Sequence, residues 1–284
     1  MRYTLRMAKW KKPTNEHEHR LRKAGHRHIA GVDEVGKGSW AGPLVAAAVI
    51  LDTNDVPAGV TDSKLLSPKQ REELFVAITK KAIAWAVHIV PAAVIDKEGI
   101  TEANRQALER ATAKLYIKPD ALLVDAFPLT FTNIPVVSII DGDALERTIG
   151  AASIVAKVVR DRIMSSELHR LYPLFQFHIH KGYGTALHQQ LLTLHGPTPE
   201  HRKSFAPVKA RLGLKVKKQK TKVKPKKKTG ARVKRKVVKK KVIAKPKPRK
   251  ALPKRKLAKG KPRITKARRV TPKKVSRKRR SSKR

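Results

Sequence analysis

The sequence contains no cysteine, which excludes disulfides and thiolate metal sites. It has no long apolar run. The longest, Leu44–Leu51, is eight residues, far short of the roughly 20 needed to span a bilayer. Met1–Lys12 lacks the apolar core of a signal peptide. These absences predict a soluble protein of the cytoplasm. Acidic residues are missing from one whole region: none lies between Lys215 and Arg284, where 37 residues are Lys or Arg. The first 214 residues hold the other 30 basic residues and all 21 acidic ones, a net +9 within a chain total of +46. The two regions therefore obey different rules.

The terminal region has scattered single Val, Ile, Leu and Ala between lysines, and prolines at 225, 246, 248, 253, 262 and 272. Self-repulsion and low hydrophobicity leave nothing to offset ordering entropy, so disorder is expected. Such charge density binds a polyanion through counterion release, with steep salt dependence. DNA or RNA is the expected partner, which places the protein within reach of the nucleoid. No amphipathic face supports membrane binding, and no base-reading motif supports sequence specificity. A solubilising role is the plainer alternative. The organisation expected is an N-terminal extension with a helix (1–27), an α/β domain (28–214) and a disordered basic tail (215–284).

Along the domain, Thr14 or Asn15 caps a short polar helix stopped by Gly25. His28–Asp33 reads as a strand running into the turn Gly36-Lys37-Gly38, and Leu44–Leu51 as a buried strand. Ser67-Pro68 opens a helix with Leu74, Ile78 and Ala82 on one face. Ala84–Val90 is a strand, and Thr101 caps a helix through Tyr116. Ala121–Asp125 and Val136–Ile140 are strands, Leu145–Leu168 is a long helix, and Thr185–His195 is another. Strands mixed with helices indicate an α/β domain.

Three candidate strands end in acids: Asp33-Glu34, Asp125, and Asp141/Asp143. In open α/β sheets such a rim is the usual site. Clustered carboxylates raise one another's pKa unless a cation joins them. Hard oxygen ligands without Cys suit Mg²⁺ or Mn²⁺, and such clusters drive phosphodiester cleavage. An Asp after a strand is also a common turn residue or cap. Adjacent strand residues face opposite sides, so Asp33 and Glu34 are expected to share a site only if the strand breaks there.

Gly31-Val32-Asp33-Glu34-Val35-Gly36-Lys37-Gly38, followed by Ala41-Gly42-Pro43-Leu44-Val45, resembles the opening motif of ribonuclease HII. The likeness continues through Asp62-Ser63-Lys64, Leu123-Val124-Asp125, Gly142-Asp143-Ala144, Ala151-Ala152-Ser153, His180-Lys181-Gly182-Tyr183-Gly184 and His201-Arg202-Lys203-Ser204-Phe205, in family order over roughly 28–210. The resemblance implies an RNase H-like mixed sheet flanked by helices, acting on RNA–DNA hybrids and at single ribonucleotides in duplex DNA. It implies cleavage 5′ of the ribonucleotide, leaving 3′-hydroxyl and 5′-phosphate ends, by a monomer. It carries over Asp33, Glu34, Asp125 and Asp143 as catalytic metal ligands. Gly36, Lys37 and Gly38 would read the 2′-hydroxyl mainly through backbone, and Tyr183 would pack on the neighbouring deoxyribose. Reading the 2′-hydroxyl is what separates RNA from DNA at one site.

The family usually has Arg where this chain has Lys37, and Lys forms no bidentate phosphate clamp. Gly-Lys-Gly and Asp125-Ala126-Phe127 also look like the sister family, ribonuclease HIII, but about 27 residues precede the motif, too few for the extra domain usual there. A non-catalytic packaging protein dominated by its tail is the alternative from another class. Lys64 reads as a phosphate contact or a surface lysine, Asp141 as a turn residue in preference to a helper carboxylate, and His17 and His19, which look like a metal tract, as exposed helix residues. Lys157 and Arg160 either face the cleft or pair with surface acids. His188 reads as structural.

Overall fold

A computed structural model describes residues 13–129 and 132–214. The tail expected over 215–284 lies outside the described residues. The order is α1 (Glu16–Lys23), β1 (Ile29–Val35), β2 (Leu44–Ile50), α2 (Pro68–Lys81), β3 (Ala84–Val90), α3 (Ala92–Glu98), α4 (Ile100–Ala113), β4 (Ala121–Asp125), β5 (Val136–Ile139), α5 (Gly142–Leu145), α6 (Arg147–Arg162), a π-helical turn (Ile163–Leu168), α7 (His169–Leu171), α8 (Phe177–His180), α9 (Ala186–His195) and α10 (Ala206–Arg211). The five strands form one mixed sheet in the order β3-β2-β1-β4-β5. β1–β2 and β2–β3 are antiparallel, whereas β1–β4 and β4–β5 are parallel.

The sheet is covered on both faces because its central strands are apolar at both parities. Ala46, Ala48 and Ile50 of β2 pack with Ala103, Ala107 and Leu108 of α4. Val45, Ala47 and Val49 pack on the opposite face with Ala151, Ile154 and Val155 of α6. Burying one such Leu or Val side chain contributes about 1.5–3 kcal/mol. The small residues bring α6 very close to β1. A Cβ on Gly31 would lie 2.2 Å from the carbonyl carbon of Thr148, so only glycine allows this contact.

The local expectations meet three corrections. α4 starts at Ile100 behind Gly99, whose φ of 85° and lack of a side chain put Thr101 inside the first turn rather than at the cap. The expected helix Leu145–Leu168 starts two residues late, at Arg147, because Glu146 is extended (φ −119°, ψ 120°) and separates it from α5, and its last six residues, Ile163–Leu168, are π-helical. The Glu146 carboxylate is held by the backbone N–H of His17 at 2.9 Å. Asn15 precedes α1 without a side-chain cap, and its Oδ1 accepts from the Arg147 N–H instead. Ser67 does cap α2, in a full capping box with Gln70.

Candidate active site

β1 does not break at its acids. It continues in register to Val35, with Asp33 opposite Ala47 and Glu34 opposite Ala46. The two carboxylates leave opposite faces, Asp33 toward α6 with Gly31 and Glu34 toward α4 with Val32. They still line one groove because the parallel pairing with β4 ends at Val32–Val124. Beyond that pair only Asp125 of β4 remains alongside β1, and the sheet ends there in a rim. The groove, about 460 Å³, is lined by Asp33, Glu34, Gly36, Lys37, Gly38, Lys64, Asp125, Ser153, Lys157 and Tyr183.

Two of the acids accept from backbone N–H groups and a third from a lysine. Asp33 accepts from the Glu34 N–H at 2.7 Å. Asp125 closes β4 and accepts from the Gly142 N–H at 2.8 Å. Asp143 is buried at the start of α5 and receives Lys64 Nζ at 2.9 Å. Burial pushes Asp33 well above the usual carboxylate range, and the charges of Glu34 and Asp125 add to it. Burial also raises Glu34, opposed by Lys37. Asp125 is raised by burial and then by Asp143, with the Gly142 bond opposing. Against the downward pull of its own burial, the bond to Asp143 lifts Lys64 above its ordinary value.

Among the described residues no three His, Cys, Asp or Glu side chains close into a ready ion cage. Two lysines supply positive charge at the rim: Lys64 on Asp143, and Lys37, whose Nζ lies 3.3 Å from Glu34 Oε1. Lys37 thus folds back over Glu34 and the Phe127 ring, 5.3 Å from its centroid, instead of extending as a phosphate grip. The donor set nonetheless suits a hard divalent ion. Asp33, Glu34 and Asp125 are disfavoured as bare anions, and Glu34 Oε2 is buried without a hydrogen-bond partner.

Arg160 and Arg202 are both fully buried, outside the sequence expectations. Arg160 donates to the carbonyls of Pro43 and Lys181 at 2.9 and 3.0 Å and to Ser39 Oγ at 2.8 Å. Arg202 donates to the carbonyls of Lys37 and Gly42. Buried guanidiniums persist only when so fully bonded, and here they fix the backbone of the Gly36–Pro43 loop. Lys157 pairs with Asp161 at 2.9 Å and still lines the groove. A larger groove of about 660 Å³ shares Lys157 and is lined by Arg71, Arg162 and Lys181. Arg162 is paired with Glu72 and Arg71 is bonded to carbonyls, so much of that charge is spent within the fold.

Asn104 escaped sequence reasoning, and Ser153 appeared there only within a motif, without a role. Ser153 bonds Ser63 at 2.9 Å beside Asp33. Asn104 of α4 is fully buried near Glu34, with neither amide atom bonded. A polar residue at an inward helix position was the available signal. Asp141 is exposed with φ 57°, a turn residue. His19 is exposed as expected, but His17 is half-buried because its ring bonds Glu146.

The family model for ribonuclease HII matches residues 30–208, most of the chain. The chain belongs to the ribonuclease HII family. Ribonuclease HII from Roseiflexus castenholzii is 48% identical over 207 residues, covering 71% of this chain and 92% of that protein. Ribonuclease HII from Bacillus cereus is 49% identical over 195 residues, covering 69% and 75%. Among solved structures, ribonuclease H2 from Pyrococcus horikoshii matches with a TM-score of 0.55 and 27% identity, over 65% of this chain and 97% of that one. A ribonuclease HIII in complex with Mn²⁺ matches with a TM-score of 0.51 at 21% identity, over 66% and 69%, a likeness of fold alone. As a ribonuclease HII the chain is a metal-dependent endoribonuclease, a hydrolase acting on RNA–DNA hybrids. Membership overturns the reading of a non-catalytic packaging protein and favours HII over its sister family.

Proposed function

We propose that this ribonuclease HII incises duplex DNA on the 5′ side of single embedded ribonucleotides as well as cleaving hybrids, leaving 3′-hydroxyl and 5′-phosphate ends. One observation carries the reading: three separate chain segments deliver Asp33, Glu34, Asp125 and Asp143 to one rim, bounded by the Gly36–Gly38 loop and Tyr183. The four carboxylates would hold Mg²⁺ or Mn²⁺. The chemistry supplied by two such ions, when bound, is activation of the attacking water and stabilisation of the leaving 3′ oxygen.

The chain's own groups do the rest. The Gly36–Gly38 backbone, fixed from beneath by Arg160 and Arg202, contacts the 2′-hydroxyl. Tyr183 supports the adjoining deoxyribose. Lys64, which bonds Asp143 at the rim, would reach a phosphate oxygen of the substrate. The protein acts as a cytoplasmic monomer, and its basic segment 215–284 tethers it to nucleic acid without regard to sequence.

The test is a duplex carrying one ribonucleotide, incubated with Mg²⁺ or Mn²⁺. Wild type is expected to give a single incision 5′ of the ribonucleotide, and Asp33→Asn none. Cleavage confined to long hybrids would overturn the single-ribonucleotide reading. Full activity of Asp33→Asn would overturn the site.

A further inference from the structure

Beneath the loop that carries Tyr183 lie three buried histidines, His180, His188 and His201. The rings of His180 and His188 stack at 4.2 Å and 14°, and His201 lies 5.2 Å from His188. Phe175 and Phe177 wall the group.

Backbone groups leave the rings no choice of tautomer. The Gly182 N–H donates to His180 Nδ1 at 3.1 Å, so the proton of His180 sits on Nε2 and is donated to the Phe175 carbonyl at 2.7 Å. The Thr198 N–H donates to His201 Nδ1 at 2.9 Å, so His201 carries its proton on Nε2. That atom lies 3.0 Å from His188 Nε2, which must accept. The proton of His188 is therefore on Nδ1, donated to the Tyr183 carbonyl at 2.9 Å. All six ring nitrogens are engaged and every ring is neutral. An added proton on His188 would set N–H against N–H across that 3.0 Å contact.

The group is wired to both sides of the groove. The Tyr183 N–H donates to the His180 carbonyl at 2.9 Å, and the Trp40 N–H donates to the Gly182 carbonyl at 2.8 Å. His201 bridges backbone to backbone with Ala41. The Tyr183 ring stands over the Arg160 guanidinium at 5.0 Å.

We propose that His180, His188 and His201 are positioning residues for Tyr183, a relay of fixed tautomers that sets where its ring meets the substrate sugar. This rests on the reading of Tyr183 as a deoxyribose platform. Burial holds His188 down at about 4 and His201 at about 3. His180 is also lowered by burial, with His178 and Lys181 contributing. Burial thus acts in the same direction as the fixed tautomers, favouring the neutral rings.

The experiment compares cleavage of a single-ribonucleotide duplex with cleavage of a uniform hybrid by the full chain in Mg²⁺. Tyr183→Ala is expected to lower the ratio of the two kcat/KM values by roughly tenfold, a fraction of the hundredfold that a 1 Å misplacement costs. His188→Gln is expected to lower it equally, and the double variant no further. If Tyr183→Ala leaves the ratio unchanged, the platform reading falls and the relay with it. If Tyr183→Ala lowers the ratio but His188→Gln slows both substrates alike, the relay alone falls. Ring ¹⁵N NMR of the wild type covers the case of a variant that fails to fold. The expected spectrum shows Nε2–H, Nδ1–H and Nε2–H for His180, His188 and His201, with the His188 and His201 signals unchanged between pH 8 and pH 5.5. Mixed tautomers, or titration of His188 or His201 within that range, would overturn the proposal.

Discussion

The two glycines of the Gly36-Lys37-Gly38 turn separate folding from substrate contact. Gly36 has φ +97°, and a Cβ there would lie 2.2 Å from Arg160 Nε. Gly36→Ala therefore combines left-handed strain of about 1–2 kcal/mol with displacement of a buried guanidinium. It is expected to destabilise by about 3 kcal/mol or more. Gly38 has an ordinary φ and nothing within 4 Å of its Cβ. Gly38→Ala then restricts only the unfolded chain and is expected to raise stability by about 0.4–1 kcal/mol, a Tm gain of about 1–4 °C. Its methyl group would stand in the groove where the backbone is proposed to meet the 2′-hydroxyl. A displacement near 1 Å costs about 10²-fold in kcat/KM, or about 2.7 kcal/mol. Thermal unfolding of both variants, with steady-state cleavage of a single-ribonucleotide duplex by Gly38→Ala, checks this. A Gly38→Ala protein that cleaves like wild type refutes the ribose contact. One that loses more than about 1 kcal/mol of stability refutes the division of labour.

Gly31→Ala would drive a methyl group into the α6 backbone at 2.2 Å. It is expected to cost about 3 kcal/mol and lower Tm by about 6–12 °C, seen in urea or thermal unfolding. Asp33 is raised in the folded state above its unfolded value, so the fold binds the extra proton and loses stability as pH rises through the raised pKa. With chelator present, Asp33→Asn is accordingly expected to be more stable than wild type at pH 7, the gain fading as pH falls toward about 4. Urea midpoints across that range decide it, and a loss at pH 7 would contradict the burial argument. Truncation after Leu214 is expected to flatten the plot of log binding constant against log salt by about 0.9 for each phosphate that the basic segment neutralises, with single-turnover cleavage unchanged.

Much of the fold was legible because its signals are local. The apolar runs at Leu44–Leu51 and Ala121–Asp125, and the Ser67-Pro68 start, lie within a few residues of the structure they dictate. The failures depend on distant partners. The long helix starts only after Glu146, which is extended and whose carboxylate is held by His17, 129 residues away. Thr101 yielded its capping place to Gly99, whose positive φ already turns the chain. The acids were readable as strand ends, but how Asp33 and Glu34 share a groove depends on where β4 stops beside β1. That length difference is invisible in either strand alone. Ser153, Asn104 and the burial of Arg160 and Arg202 depend on tertiary packing, which no spacing rule encodes.

The passage of β1 between two cores, with Asp33 on one face and Glu34 on the other, bears on how this enzyme tolerates change. Most enzymes accept repacking of a layer that does not touch the chemistry, because one rigid face insulates the site from the other. Here neither layer is insulated. A bulkier side chain under α4 reaches Glu34 through Asn104, and one under α6 reaches Asp33 through Ser153. In a saturation scan, activity is expected to fall ahead of stability in both interior layers, and stabilising substitutions are to be sought at the periphery of the sheet, around α2 and the outer face of β3.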